Sequence, residues 1–217
     1  MESVSGVGVL DKAMTVLQAL WQRGPLALAE LQAAVGMPRA TTHRLAVALE
    51  QHGLVRRNPD GRFNLGLALV GLGSSARERL PVALAARPVM EALRDRTGES
   101  VQLFVSEVGG RRCVVSLEST HGLRWIVPEG ALLPLDRGSA GRVLRASITS
   151  LPAWVESVEE REKGVASVSA PVLDGSGGVV AALSVSGPVE RLTRSPGDRF
   201  GADVVGAASE ITQRLLA

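Results

Sequence analysis

Cysteine and lysine are what this chain has least of. Cys113 is its only cysteine, which excludes an intramolecular disulfide and leaves no cysteine set to hold zinc. Among 24 basic residues only Lys12 and Lys163 are lysines. Arginine supplies the rest, and two readings of that bias stand. The planar guanidinium suits bidentate contacts to phosphate and guanine, and a GC-rich genome produces the same preference with no function attached. Histidine is scarce and scattered, at His43, His52 and His121. Without paired carboxylates, a phosphate loop or a nucleophile beside a base, the chain is not expected to be an enzyme, nor to hold a cofactor or metal. Gly6-Val7-Gly8 and Gly71-Leu72-Gly73 do not follow a strand and lack a third glycine, which excludes a dinucleotide loop. No apolar run is long enough to span a bilayer. The start, Met1-Glu2-Ser3-Val4, lacks the basic residues and apolar core of a signal peptide, so the expected location is the cytoplasm, with no membrane partner. The formal net charge is +2, too small for global attraction to nucleic acid, so any such affinity needs a local patch.

What the chain does have is apolar material arranged at two periods. Its 217 residues, 45% hydrophobic and 21% charged, suit two modest domains with real cores. The stretch from Leu28 to Leu65 reads as a short helix, a turn at Gly36, a helix from Arg39 to His52, and a hairpin closed at Asn58-Pro59-Asp60-Gly61. That order is the pattern of a winged helix-turn-helix. In the second helix Thr42, Leu45, Ala46 and Leu49 share an inward side at helical spacing. Ala40, Thr41, His43, Arg44, Val47 and Ala48 occupy the opposite arc. The first turn of that arc is short, hydroxyl-bearing and basic, as a helix entering the major groove of double-stranded DNA requires. Pro38 suits the helix entry, because its missing N-H costs nothing there. The candidate groove and phosphate contacts are therefore Pro38, Arg39, Ala40, Thr41, Thr42, His43 and Arg44, with Thr42 partly inward by the periodicity. Arg56, Arg57 and Arg62 cluster on the hairpin, where a wing would touch the phosphate backbone.

Elsewhere the pattern is coarser. Val9 to Trp21 is a helix with a wide apolar side formed by Leu10, Ala13, Met14, Leu17, Leu20 and Trp21, wide enough for part of it to meet a second subunit. Gly66 to Arg79 reads as a connecting helix. Beyond it, a helix starts near Pro88, and Val101 to Glu107 and Arg112 to Glu118 form a hairpin with Cys113, Val115 and Leu117 on one face. A third strand is expected around Leu123 to Val127, then a helix from Arg142 to Ser147 opened by Gly138-Ser139-Ala140-Gly141. Glu159, Glu160 and Glu162 read as a solvated run. Two later strands alternate: Val165 to Val172 sets Ser167 and Ser169 on one face, and Val179 to Gly187 sets Ser184 and Ser186 opposite Val179, Ala181, Leu183 and Val185. Two readings of those hydroxyls stand, a polar pocket for a small ligand and a solvent-facing sheet surface. A final helix runs from Pro196 to Leu216.

These residues resemble the IclR family of bacterial transcriptional regulators over nearly the whole chain. The resemblance rests on GVLDKAMTVLQAL, GMPRATTHRLAVALEQHGLV and GRFNLG, then TGESVQLFV, GSAGRVL, GVASVSAPV and VVAALSVSGPVERLT. The stretches SGVGVLDKA and SVSGPVERLTR are similar to the actinobacterial branch associated with leucine and other amino-acid biosynthesis genes. The resemblance implies an α+β chain: a winged helix-turn-helix over residues 1–65, a linker helix over 66–80, and a GAF-like effector-binding α/β domain over 81–217. It implies a homodimer or dimer of dimers on inverted-repeat operators, acting as a repressor or activator under a small-molecule effector. It places effector contacts at Ser139, Ala140, Ser157, Ser167, Ser184 and Ser186. The chain departs from the family between Arg145 and Glu156, where it is short by about one helix. That departure keeps open a C-terminal domain that only assembles subunits.

Overall fold

The computed structural model describes residues 6–146 and 151–217. It divides into two compact units, one up to Ala76 and the other from Arg77 to Ala217. The expected end of one helix at Ser147, and the Met1 to Val4 start, lie outside the described residues.

The first unit contains α1 (Gly8–Arg23), α2 (Leu28–Val35), α3 (Arg39–Gln51), β1 (Val55–Arg57) and β2 (Phe63–Leu65), followed by α4 (Ala68–Glu78). Gly36 closes α2 in the left-handed region at φ +65°, its N-H donating to the Gln32 carbonyl at 3.0 Å. A residue without a side chain takes that conformation at no steric cost, which lets the chain reverse tightly into α3. Val16, Leu20, Leu31, Val35, Ala46, Leu49, Val55 and Phe63 form the core, and burying them is what makes three short helices and a small hairpin stable. The side of α1 expected to pack inward divides: Val16, Ala19 and Leu20 are buried, while Leu10, Met14 and Trp21 stay 52%, 45% and 54% exposed.

The second unit is built on a six-stranded antiparallel sheet, ordered β5-β4-β3-β8-β7-β6. Its strands are β3 (Ser100–Glu107), β4 (Gly110–Leu117), β5 (Leu132–Leu133), β6 (Val155–Val158), β7 (Val165–Leu173) and β8 (Val179–Pro188). On one face, α5 (Pro81–Thr97) and α8 (Pro196–Leu216) pack over Val101, Leu103, Val115, Val168, Val172, Leu183 and Val185. The short α7 (Val189–Leu192) joins β8 to α8. On the other face, α6 (Ser139–Arg145) meets a smaller cluster of Phe104, Cys113, Val127, Ala140, Val143 and Ala182. A helical unit with a winged hairpin, joined to an α/β unit, is the α+β architecture expected.

Several local expectations are corrected. α5 begins at Pro81, where a proline needs no amide partner, and Pro88 lies inside it. Pro88 and Leu84 are exposed, so water can take the Leu84 carbonyl that proline leaves without a donor. Residues 123–127 form no strand. The chain just beyond them is tied to β4 instead: Cys113 N-H donates to the Ala131 carbonyl at 2.9 Å, and Glu129 accepts from Ser116 N at 3.2 Å. Glu129 also pairs with Arg77 and Arg87, at 3.1 and 3.2 Å. Leu132–Leu133 pairs with β4 in place of the expected strand. Two β-bulges flip side chains that simple alternation put elsewhere. One between Leu103 and Phe104 moves Cys113 from the face of Val115 to the α6 side. The other, between Val172 and Leu173, turns Val179 to that side as well. A bulge adds one residue to one strand and so reverses the parity beyond it.

Candidate nucleic-acid interface and ligand pocket

Helix α3 presents the arc read from its periodicity. Thr42, Ala46 and Leu49 are buried, while Pro38, Arg39, Ala40, His43 and Arg44 are exposed and Thr41 half-exposed. Arg39 and Arg44 have no hydrogen bond or ion pair among the described residues, so both guanidiniums are free to meet phosphate or base edges. Thr42 is a correction. It is 0% exposed, and its hydroxyl points back to the Met37 and Pro38 carbonyls at 3.5 and 3.2 Å. It therefore fixes the start of the helix and is not available to a groove.

The wing arginines divide. Arg57 pairs with Glu50 at 3.2 Å and lies over the Phe63 ring. Arg62 pairs with Glu30 at 2.8 Å, and the same carboxylate accepts the Ala27 N-H at the start of α2. These two tie the hairpin to the helices and have part of their charge cancelled. Arg56 is exposed and bonded only to the neutral Asn58, at 3.1 Å, which leaves it the wing cation with its charge uncompensated.

In the second unit the serine face is covered. Ser139, Ala140, Ser157, Ser167, Ser184 and Ser186 all line one cavity of about 40 Å³ beneath α6, so the solvent-facing reading of the hydroxyls is set aside. Ser139 Oγ lies 2.7 Å from both Ser167 Oγ and Ser169 Oγ, tying the helix start to β7. Register explains the rest: Ser167 opposes Ser186 and Ser169 opposes Ser184, while Ser157 opposes Ser167 from β6. The glutamate run is not simply solvated. Glu160 accepts the Gly138 N-H at 3.0 Å and pairs with Arg142 at 2.8 Å, placing a carboxylate of the chain itself beside the start of α6. Glu159 accepts the Gly164 N-H at 2.9 Å.

The lining also includes Gln102, Arg111, Trp125 and Arg161. Gln102 was legible in principle, since it alternates with Val101 and Leu103 and opposes Ser184. The other three arrive from a bulged strand and two loops that no local pattern connects. Arg111 is 3% exposed, stacks on Phe104, and donates to the Pro134 and Arg137 carbonyls. Burial, and then the neighbouring Arg161 guanidinium, pull its pKa down to about 10, against a smaller upward pull from Asp136. Burial lowers Arg161 as well and pushes the Cys113 thiol up to about 12, where it stays protonated and unreactive at neutral pH.

The family model of the IclR helix-turn-helix domain matches residues 9–59, and that of the bacterial transcriptional regulator IclR C-terminal domain matches residues 74–150 and 147–213. The chain belongs to the IclR family. An IclR-type chain is a transcriptional regulator, not an enzyme, with a DNA-binding helix-turn-helix and a C-terminal effector-binding domain. Among its relatives is the transcriptional repressor IclR of Escherichia coli K12, 26% identical over 226 residues, covering 87% of this chain and 82% of that protein. The regulator KipR of Bacillus subtilis 168 is 25% identical over 238 residues, covering 94% and 95%. In fold, the chain is similar to an IclR homolog from Microbacterium hydrocarbonoxydans complexed with 4-hydroxybenzoate. That structure has a TM-score of 0.80 and 20% identity, covering 95% of this chain and 98% of that one. No helix among the described residues is long and apolar enough to cross a membrane, and no cluster of metal-ligating side chains occurs among them.

Proposed function

We propose that this protein is a cytoplasmic regulator that binds inverted-repeat operators as a homodimer or dimer of dimers, with a small molecule in the serine pocket changing its hold on DNA. The observation that carries the reading is the exposed, unpaired basic start of α3, Arg39 with Arg44, held outward because Thr42, Ala46 and Leu49 are buried behind it. Arg39, Thr41, His43 and Arg44 meet base edges and phosphates, and Arg56 adds a phosphate contact from the wing. Two subunits related by a twofold axis would set these helices in successive major grooves about 34 to 36 Å apart. The exposed stripe of Leu10, Met14 and Trp21 on α1 supports self-association, since contiguous apolar surface of this kind favours a partner. A ligand acts only through different affinities for the DNA-competent and incompetent arrangements.

The stretches SGVGVLDKA and SVSGPVERLTR support control of amino-acid genes, those of leucine biosynthesis among them. Selecting genomic fragments on the purified protein at physiological salt tests this: enrichment of inverted repeats upstream of such genes is expected. Recovery without sequence preference would refute operator recognition, and recovery upstream of other genes would remove the amino-acid assignment alone. The small size of the cavity favours a second reading, in which the C-terminal unit only assembles subunits. Thermal-shift screening separates the two, because a ligand that binds the native state raises its midpoint by mass action.

A further inference from the structure

The hairpin β1-β2 carries three arginines, and three carboxylates stand against them. Arg62 is held from several sides. Its Nη1 donates to Glu30 Oε2 at 2.8 Å and to the Pro25 carbonyl at 3.3 Å, its Nη2 reaches Glu30 Oε1 at 3.5 Å, and its Nε lies 3.6 Å from Asp60. Arg57 is taken by Glu50, near the C-terminal end of α3. Of the three, Arg56 alone has no carboxylate partner among the described residues; its bond is to Asn58.

An exposed ion pair is normally weak, because two long side chains must be ordered in water to make it. Glu30 avoids much of that cost. Its Oε2 also accepts the Ala27 N-H at 2.8 Å, at the start of α2, so the carboxylate is already in place when it meets the guanidinium fork. The backbone beside the pair is stitched as well: Leu26 N-H donates to the Phe63 carbonyl at 2.9 Å, and Phe63 N-H to the Leu26 carbonyl at 2.8 Å. Arg62 directly precedes Phe63, which opposes Arg57, while Asn64 opposes Arg56. The angle of the hairpin, and with it the position of Arg56, is therefore set where Glu30 grips Arg62. Building on the reading that α3 and the wing face DNA, we propose that Glu30 is a positioning residue for operator recognition, acting through Arg62. It fixes the wing so that Arg56 alone among the wing arginines displaces counterions from the DNA backbone. Without Glu30, Arg62 becomes a mobile cation that tightens binding to any duplex and weakens discrimination between sequences.

The test uses the full chain in anisotropy titrations on a selected operator and on a scrambled duplex, across about 50 to 200 mM salt. Arg56→Gln is expected to flatten the slope of log affinity against log salt by about 0.9 per subunit. Arg62→Gln should shift it by less than half as much while lowering the ratio of operator to scrambled affinity, because the wing is no longer fixed. Glu30→Gln keeps an oxygen for the Ala27 N-H and frees Arg62. It should steepen the slope on the scrambled duplex by about 0.9 per subunit and tighten that binding by up to about eightfold per subunit near 0.1 M salt, with a lower ratio again. In the Glu30→Gln, Arg62→Gln double variant the slope should return to that of wild type. The pair is exposed, with side chains 41% and 48% accessible. Thermal midpoints should therefore stay within about 4 °C of wild type, which separates these changes from unfolding. A slope flattened by about 0.9 per subunit in Arg62→Gln alone would make Arg62 a phosphate contact and overturn the proposal. So would a Glu30→Gln protein with the wild-type slope and ratio, or a double variant that keeps the steepened slope. The scrambled duplex carries the slope comparison even if wild type prefers no sequence. That result would refute operator recognition, and the slopes would still decide the role of Glu30.

Discussion

Truncating Arg44 to alanine should separate DNA recognition from folding. Arg44 is exposed on α3 and bonded to nothing among the described residues, so its removal is expected to change stability by no more than about 0.5 kcal/mol. For a chain of this size that is a midpoint shift of about 2 °C or less. Affinity is a different matter. One bidentate base contact is worth about 1 to 3 kcal/mol of discrimination, and the proposed symmetric dimer would carry the residue twice. The loss should therefore be about 2 to 6 kcal/mol, or roughly thirtyfold to twenty-thousandfold. If Arg44 meets phosphate and not a base, the loss extends equally to unrelated duplex, and the slope of log affinity against log salt flattens by about 0.9 per subunit. Thr42→Val is the control. It removes a hydroxyl bonded only to the Met37 and Pro38 carbonyls, and the Pro38 carbonyl keeps the Thr42 N-H at 2.9 Å. That variant should lose about 1 kcal/mol of stability and keep its operator affinity well below the melting point. Anisotropy titrations on a selected operator and a scrambled duplex, from 50 to 200 mM salt, distinguish these cases. An Arg44→Ala protein with wild-type affinity and wild-type salt slope would refute the placement of α3 in the groove.

Three further outcomes follow from other parts of the chain. In the Ser184→Val, Ser186→Val double variant, Gln102 Oε1 loses the donor that now lies 2.8 Å away. The ligand concentration that shifts DNA binding should rise about tenfold or more, and an unchanged midpoint in a gel-shift titration would place the ligand elsewhere. A Cβ at Gly201 would sit 2.7 Å from Trp154 Nε1, so Gly201→Ala should destabilise by about 1 to 3 kcal/mol through overpacking, read as a lower thermal midpoint. Asp174 is held below its ordinary pKa of 3.8, first by the Ser176 hydroxyl and then by backbone N-H groups of its turn. Its contribution is therefore present above that value and lost as pH falls through the lowered one. Asp174→Asn should melt earlier than wild type at pH 7, with the gap narrowing toward pH 3; a gap that does not change with pH would contradict the assignment.

Legibility followed the range of each signal. The inward side of α3 could be read because Thr42, Ala46 and Leu49 lie on one helix and report a 3.6-residue period. The serine side of the sheet could be read because Ser167, Ser184 and Ser186 alternate with apolar neighbours on unbroken strands. Parity failed wherever a bulge intervened, as at Cys113 and Val179. It also misled at Leu123 to Val127, where a strand-like sequence joins no strand and Leu132–Leu133 pairs with β4 in its place. Charge partners were invisible for another reason. Arg62 and Glu30 are 32 residues apart, and the charge meeting of Arg161 with Arg111 depends on turns whose geometry no periodicity records. Sequence alone therefore located the surfaces and missed which cations on them are already engaged.

The bulge between Leu103 and Phe104 has a practical corollary. By turning Cys113 toward α6, into a layer where it is 0% exposed, it leaves the chain with one sulfhydryl sealed behind the wall that carries Ser139 and Ala140. Alkylation with a maleimide requires that the layer around this thiol open, so the labelling rate reports how often it does. Counting modified molecules over time, with and without a candidate metabolite, would report any change in that opening in the native protein with no engineered probe.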